Sequence, residues 1–302
     1  MTRRLGAGVA RRLRLGVVLL CALCMAATAC ASTTQVIRIA RVAGSAPTTS
    51  TNAIQVDGRT RTWEQIVPRS KLPGSAPIIV VLSGINATVS QEISRDKLVP
   101  YVNAGQAELI YPAGFDESWN AGGCCGKAAQ DNIDDVAFLK ALVAQVDPGH
   151  RHPVDLVGYS NGGRLAYRMA CSDAGLFDET AVVKAMPQPG CVVNQPLTIL
   201  QIDSTDDPAV PYQPGDPGRE TPAASTEVAR LHATDACTLP PATQTRGSMQ
   251  LTTWSDCQNG ARLGFAVYQG GGHSFPQPSG ATPAAAAVIW AFFTKSSIPR
   301  AT

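Results

Sequence analysis

A short stretch in the middle of the chain constrains the fold most. Residues 154–159 are mainly apolar, as in a buried parallel strand, and lead into Gly158-Tyr159-Ser160-Asn161-Gly162. Residues 164–170 then have helical spacing of apolar side chains. A serine at the apex of a strand, tight turn and helix is the context in which a Gly-x-Ser-x-Gly motif exposes a reactive hydroxyl. Because the chain has 27 glycines, a chance motif in a loop is the alternative.

Strand and helix patterns alternate over the rest of the chain. We predict a hairpin at 53–56 and 62–67, strands at 77–82, 107–111, 181–185, 197–202, 250–254 and 263–268, and helices at 132–146, 223–233 and 283–293. Asp131 is placed to cap the first of these helices. The alternation predicts an α/β fold with a mainly parallel sheet and helices on both faces.

The first 29 residues have the pattern of a signal peptide. A basic region from Arg3 to Arg14 precedes an apolar stretch that is short for a bilayer span. An uncleaved membrane anchor is the alternative. Residues 30–51 are rich in Ser, Thr, Ala and Pro and predict a tether, and residues 52–298 are long enough for a single domain. The sequence therefore predicts an exported protein.

The cysteines agree with export. Of nine cysteines, Cys21 and Cys24 lie in the predicted signal peptide. An even set follows, which predicts disulfide bonds in an exported chain: Cys124, Cys125, Cys171, Cys191, Cys237 and Cys257. Cys30 is left over and follows Ala27-Thr28-Ala29, which fits a cleavage site and loosely a lipobox. Cys30 is therefore predicted to carry lipid.

Cys237 is predicted to bond to Cys257, because the two bracket a short stretch with two prolines and a strand that can return alongside. The other four cysteines should then pair among themselves. A bond between Cys124 and Cys125 is not expected, because it would strain the intervening peptide. No Cys-x-x-Cys pair follows the signal peptide and the histidines are not clustered, so no metal or other cofactor is expected.

The charge distribution argues against a nucleic-acid partner. The formal net charge is +2, and the lysines and arginines are scattered along the chain. A nucleic-acid binding domain would instead show a basic stripe or patch.

One of the four histidines is placed to act as a base toward Ser160. His150 and His152 precede the strand that leads to the serine, so they belong to the wrong end of the sheet. His232 falls within a helical pattern. His273 follows a predicted strand after three glycines, at the sheet edge where ligands and catalytic loops gather. His273 is therefore the predicted base.

The acid should lie between the serine and the histidine in chain order. Asp203, Asp206 and Asp207 directly follow the strand predicted at 197–202. One of them is the predicted acid, and the others have the usual role of aspartate in capping turns. A serine activated by histidine and carboxylate predicts nucleophilic catalysis.

These residues carry a resemblance to a known family. The blocks that carry it are Trp119-Asn120-Ala121-Gly122-Gly123-Cys124-Cys125-Gly126, Asp134-Asp135-Val136, Ser160-Asn161-Gly162, Asp207-Pro208-Ala209-Val210-Pro211-Tyr212 and Gly271-Gly272-His273. In this order they resemble the polyhydroxybutyrate depolymerase/feruloyl esterase family of secreted α/β-hydrolases, which includes actinobacterial LpqC-type lipoproteins. The resemblance spans residues 54–293.

The resemblance implies Ser160 as nucleophile, Asp207 as acid, His273 as base, and the backbone N–H groups of Ile85 and Asn161 as oxyanion hole. It implies an exported serine esterase of small-molecule or polymeric esters, such as feruloyl esters or polyhydroxyalkanoates, that acts through an acyl-enzyme without a cofactor. A peptidase or acyltransferase on the same fold is the alternative, as is a non-catalytic surface-binding lipoprotein.

Two positions depart from the family pattern. Family members have His-Gly where this chain has Ser83-Gly84, and His-Gly-Thr where it has Asp203-Ser204-Thr205. Neither histidine is the base in the family, so the implied triad is unaffected. The substrate specificity of family members is not transferred to this chain.

Replacement of Cys30 should change where the protein is found. If lipid on Cys30 is the only membrane contact, Cys30→Ala should release protein to the medium or stall its processing. Detergent partitioning of wild type and variant measures this. A variant that partitions like the wild type would place the anchor elsewhere.

Overall fold

The computed structural model describes residues 46–218 and 222–298, so the predicted signal peptide, Cys30 and the tether up to residue 45 lie outside the described residues. The strands are β1 (Thr48–Val56), β2 (Arg59–Val67), β3 (Ile78–Leu82), β4 (Glu108–Pro112), β5 (Val154–Tyr159), β6 (Glu179–Val183), β7 (Thr198–Ser204), β8 (Ala242–Arg246), β9 (Met249–Trp254) and β10 (Leu263–Tyr268). The helices are α1 (Val89–Asp96), α2 (Val99–Asn103), α3 (Gly126–Gln130), α4 (Asp135–Val146), α5 (Asn161–Ser172), α6 (Ala224–Asp235) and α7 (Ala285–Phe293). In these two ranges no helix is both long and apolar enough to cross a membrane.

The strands form one sheet in the order β1-β2-β4-β3-β5-β6-β7-β10-β9-β8. Neighbouring strands from β4 to β10 in this order are parallel, and antiparallel pairs extend the sheet at both edges. The predicted mainly parallel sheet is confirmed. Because parallel strands end at the same edge, the loops that follow β3, β5, β6, β7 and β10 meet there.

The predicted hairpin is present as β1 and β2, with Asp57 and Gly58 in left-handed backbone conformations (φ 49° and 70°). Strand β1 begins at Thr48, so it extends into the segment predicted as a tether up to residue 51. Its first residues are polar and exposed, which is why their composition resembles that of a linker. Two antiparallel steps separate β1 from β4, so β1 runs in the direction of the parallel strands and begins at their amino-terminal edge.

Helices cover both faces of the sheet. All five side chains of β3 are buried, and alternate residues contribute to two hydrophobic cores. Val80 shares one core with residues of α4, α5 and α6. Val81 shares the other core with residues of α2 and α7. The prediction of helices on both faces is confirmed, and strands buried on both faces explain the continuous apolar runs in the sequence.

Helix α4 begins later than predicted. Its cap is Asp134, whose Oδ1 accepts a hydrogen bond of 2.9 Å from the Ala137 backbone N–H. The predicted cap, Asp131, instead ends α3 and pairs with Lys127. Several residues in this segment are favourable caps, so composition does not distinguish among them.

Three disulfide bonds lie within the described residues. Cys237 is bonded to Cys257, as predicted. Cys171 is bonded to Cys191 and joins the last turn of α5 to the loop after β6. The expectation against a bond between Cys124 and Cys125 is wrong, because the structure joins them. That expectation considered only strain in the intervening peptide, which is cis in the structure, with the Cα atoms 3.0 Å apart.

A buried carboxyl group lies in β5. Asp155 is 2% exposed, and burial together with the charges of Glu179 and Asp178 raises its pKa from 3.8 to about 8. The Asp155 side chain is therefore protonated in the folded protein below about pH 8 and ionised in the unfolded chain above 3.8. Unfolding releases a proton in this window, so the free energy of unfolding falls as the pH rises through it.

Asp155→Asn should remove part of this pH dependence. Asparagine keeps a neutral side chain, so the variant should lose less stability than the wild type between 3.8 and about pH 8. Urea unfolding over this range measures the slope. Burial also raises the pKa of Asp96 to about 7 and of Asp235 to about 6, so some slope should remain. The exposed turn variant Asp57→Asn should keep the wild-type slope, and equal slopes for Asp155→Asn and wild type would contradict the assignment.

Candidate active site

Ser160 lies at the apex of the turn between β5 and α5. Its φ is 53°, a left-handed conformation that is unfavourable for a residue with a Cβ atom. The turn is possible because Gly158 and Gly162 bring backbone atoms into direct contact. A Cβ at Gly158 would overlap the Gly162 carbonyl, and one at Gly162 would overlap the carbonyls of Leu82 and Ser83. The predicted strand–turn–helix context of the serine is therefore present.

His273 lies on the loop after β10, and its Nε2 is 2.9 Å from Ser160 Oγ. The loop reaches this point through three consecutive glycines with positive φ, Gly270 to Gly272. The Tyr159 hydroxyl donates a hydrogen bond of 2.5 Å to the His273 carbonyl. The histidine is thus held by its backbone as well as by its ring.

The other histidines lie away from Ser160, as the sequence predicts. His150 and His152 precede β5, and His152 Nδ1 is 3.2 Å from the Ala76 carbonyl. His232 lies on α6 beside Trp254, with ring centroids 5.5 Å apart.

Asp207 is the carboxylate that contacts His273. Its Oδ1 and Oδ2 are 3.0 and 2.9 Å from His273 Nδ1, and Oδ1 also accepts from the backbone N–H groups of Ala209 (2.8 Å) and Val210 (3.0 Å). Burial alone would raise the pKa of Asp207. The hydrogen bonds from His273, Val210 and Ala209 outweigh burial and hold this pKa below its ordinary value. Asp207 is therefore ionised where it meets the imidazole.

The two other candidate acids have different partners. Asp206 Oδ1 accepts a hydrogen bond of 2.8 Å from the Gly272 backbone N–H, so it holds the loop of the histidine rather than its ring. Asp203 is buried at the end of β7, where Gln201 Nε2 donates to its Oδ2 at 2.7 Å.

The candidate oxyanion donors flank the serine. Asn161 is the first residue of α5, and its side chain is fixed by two hydrogen bonds to the Trp119 backbone, of 2.8 and 3.0 Å. Ile85 follows β3 and is 38% exposed. Within residues 46–218 and 222–298, neither the Ile85 N–H nor the Asn161 N–H donates to a backbone carbonyl. Both groups are therefore available to a bound oxygen.

The Trp119–Gly126 segment packs against the start of α5. Trp119 Nε1 donates to the Ser83 carbonyl at 3.0 Å. Arg164, one helical turn after Ser160, donates to Cys125 Sγ at 3.2 Å and also contacts Cys124 Sγ. The disulfide between neighbours therefore contacts the first turn of the helix that follows the serine.

A buried ion pair contacts the Trp119–Gly126 segment through Asn120. Asp135 is fully buried, pairs with Arg61 at 2.7 Å and accepts a hydrogen bond of 2.7 Å from the Asn120 backbone N–H. The Asp135 side chain points inward because the cap position is already filled by Asp134.

The site also contains a residue that the sequence interpretation missed. Lys184 directly follows β6 and is completely buried behind the Asp207–His273 pair. Its only sequence signal is a lysine at the end of an apolar strand, which usually indicates an exposed loop. In the described ranges, no group of three or more His, Cys, Asp or Glu side chains is placed to hold a metal ion.

Comparison with known proteins shows the fold. No protein-family model matches the chain. Feruloyl esterase C of Emericella nidulans is 26% identical over 263 residues, which cover 83% of this chain and 89% of the relative. The structure of an acetyl xylan esterase from Aspergillus awamori is similar, with a TM-score of 0.53 and 13% identity over 81% of this chain and 99% of that chain. A thermostable esterase has a TM-score of 0.53 and 13% identity over 81% and 60% of the two chains. The chain has the α/β-hydrolase fold.

Replacement of the two neighbouring aspartates should have unequal effects. Asp207→Asn should lower turnover by about 10³ to 10⁴, because the amide would favour the wrong tautomer of His273. Asp206→Asn keeps an oxygen acceptor for the Gly272 N–H and should lower turnover by roughly tenfold or less. Turnover of one ester by both folded variants measures this. Reversed losses would assign the acid to Asp206.

Proposed function

We propose that this protein is a serine carboxylic-ester hydrolase that acts through an acyl-enzyme intermediate. The observation that carries the proposal is the unbroken chain of hydrogen bonds from Asp207 through His273 to Ser160. This chain of hydrogen bonds ends at Ser160, which lies in a strained turn directly before the N-terminus of α5. The N–H groups at a helix N-terminus favour a developing negative charge.

The proposed reaction has two halves. His273 Nε2 takes the Ser160 proton while Oγ bonds to the ester carbonyl carbon, and the backbone N–H groups of Ile85 and Asn161 receive the oxyanion. The imidazolium, stabilised by Asp207, then gives this proton to the leaving alcohol as the C–O bond breaks. Water then attacks the acyl-enzyme carbonyl carbon and loses its proton to His273, which passes this proton to Ser160 Oγ as the C–Oγ bond breaks and the carboxylic acid leaves.

The relatives support an ester as the substrate. The curated relative that covers most of the chain is named a feruloyl esterase, so hydroxycinnamate esters are the first substrate class to test. Oligomers of hydroxybutyrate are the second class, from the resemblance in sequence. Both are carboxylic esters, and the reaction above applies to each without change.

We also propose that the protein is exported. The three disulfide bonds support this, because such bonds persist in oxidising compartments. The signal peptide and the lipid on Cys30 remain predictions from the sequence.

Ser160→Ala should abolish labelling by a fluorophosphonate probe and lower ester hydrolysis by about 10³-fold or more. The matched control is Ser172→Ala, at the exposed end of the same helix, which should label and hydrolyse like the wild type. Rates toward hydroxycinnamate esters, short-chain acetates and hydroxybutyrate oligomers identify the acyl group, and p-nitroanilides detect a peptidase.

Absence of labelling in the wild type would favour a binding protein over an enzyme. Hydrolysis by Ser160→Ala at the wild-type rate would contradict the proposed nucleophile. Anilide turnover faster than ester turnover would assign the site to a peptidase.

A further inference from the structure

Lys184 is a cation with no exposed surface at the reactive edge of the sheet. It directly follows β6 and has a left-handed backbone conformation with φ 56°. Its backbone N–H donates to the Ile202 carbonyl at 2.9 Å, while the carbonyl of the preceding Val183 accepts from the Ser160 N–H at 2.9 Å. The backbone around Lys184 thus joins the serine turn to β7, the strand that precedes the acid.

The ammonium group of Lys184 contacts the loops of both the acid and the base. Nζ donates to the Gly272 carbonyl at 2.6 Å and to Ser204 Oγ at the end of β7, and lies 4.0 Å from Asp207 Oδ2. Gly272 immediately precedes His273. One buried side chain therefore bridges the two loops whose separation sets the contact between Asp207 and His273.

Burial of a cation is unfavourable unless neighbouring charges and hydrogen bonds compensate for it. Burial lowers the pKa of Lys184, and the carboxylates of Asp207, Asp203 and Asp206 oppose this effect. The carboxylates of Asp207, Asp203 and Asp206 face the ammonium. His273 contacts Asp207, and Tyr159, which interacts with Asp207, lies beside Glu92 and Arg95. The three carboxylates therefore favour the charged form of the ammonium.

We propose that Lys184 is a positioning residue for the Asp207–His273 pair, which fixes the loop of His273 through the Gly272 carbonyl and offsets part of the charge of Asp207. The inference rests on the proposed hydrolase function. Gly272 is held at both ends, since Asp206 accepts from its N–H and Lys184 donates to its carbonyl. These two contacts compensate for the freedom that three glycines give to this loop.

The charge of Lys184 has a second consequence. A positive charge beside Asp207 disfavours the imidazolium form of His273. Removal of this charge should therefore keep His273 protonated to higher pH, and activity should rise later as the pH increases. A role limited to packing would not move this limb of the pH–rate profile.

The test compares two neutral variants. Lys184→Met removes both the charge and the donor, whereas Lys184→Gln removes the charge but keeps a donor. For the best ester substrate, Lys184→Met should lower kcat by about ten- to a hundredfold with less change in KM. In both variants the acid limb of kcat/KM should move to higher pH by about 0.5 to 1 unit. Lys184→Gln should recover part of kcat.

Lys140→Met is the matched control, because Lys140 is a half-exposed lysine on α4 that pairs with Asp173. It should leave kcat and the pH profile unchanged. An unshifted acid limb in a folded Lys184 variant would overturn the proposal, as would failure of both variants to fold, since Lys184 would then be structural. Loss of activity in Ser160→Ala, together with an unchanged kcat and acid limb in Lys184→Met, would overturn this inference alone and leave the proposed function intact.

Discussion

The contact between the Ser160 turn and the end of β3 is the constraint on which the site depends. Backbone meets backbone there, because Gly162 has no side chain to separate α5 from Leu82 and Ser83. The Ser83 carbonyl accepts from the Gly162 N–H at 3.1 Å and from Trp119 Nε1 at 3.0 Å. A single carbonyl thus aligns three segments that are distant in sequence. A side chain at Gly158 or Gly162 would separate these backbone segments and move Ser160 away from His273.

The acid and the base depend on a different set of contacts. Both lie on loops, which are intrinsically more mobile than the strands they follow. The Gly272 N–H, the Gly272 carbonyl and the His273 carbonyl each have a partner, in Asp206, Lys184 and Tyr159 respectively. The imidazole therefore sits on a loop whose backbone polar groups are held. Preorganisation of this kind is what a hydrogen-bonded catalytic pair requires.

How much of the site could be predicted depended on the kind of signal. Ser160 and His273 follow from a local motif and from elimination among few histidines. Asp207 could be chosen over Asp206 only by resemblance, because the direction of a side chain depends on backbone geometry that composition does not encode. Lys184 was missed altogether. Its burial results from loops after β7 and β10 that fold over it, and those loops are far away in sequence.

The fold also contains elements with a local sequence signal and elements without one. The buried strands and the amphipathic α6 were predicted close to their observed bounds, since short continuous apolar runs mark the strands and a helical period marks α6. The short helices α1 and α3 and the exposed strand β8 were not predicted. Elements of this length are marginal by themselves and form because the rest of the domain supports them.

The direction of β1 determines at which edge of the sheet the chain enters the domain. Thr48 opens the strand at the amino-terminal edge of the sheet, whereas Ser160 follows the carboxyl end of β5. The chain therefore joins the domain on the side away from the reacting hydroxyl. A probe attached at Thr48 would therefore report from the edge of the sheet opposite the one where Ser160 lies.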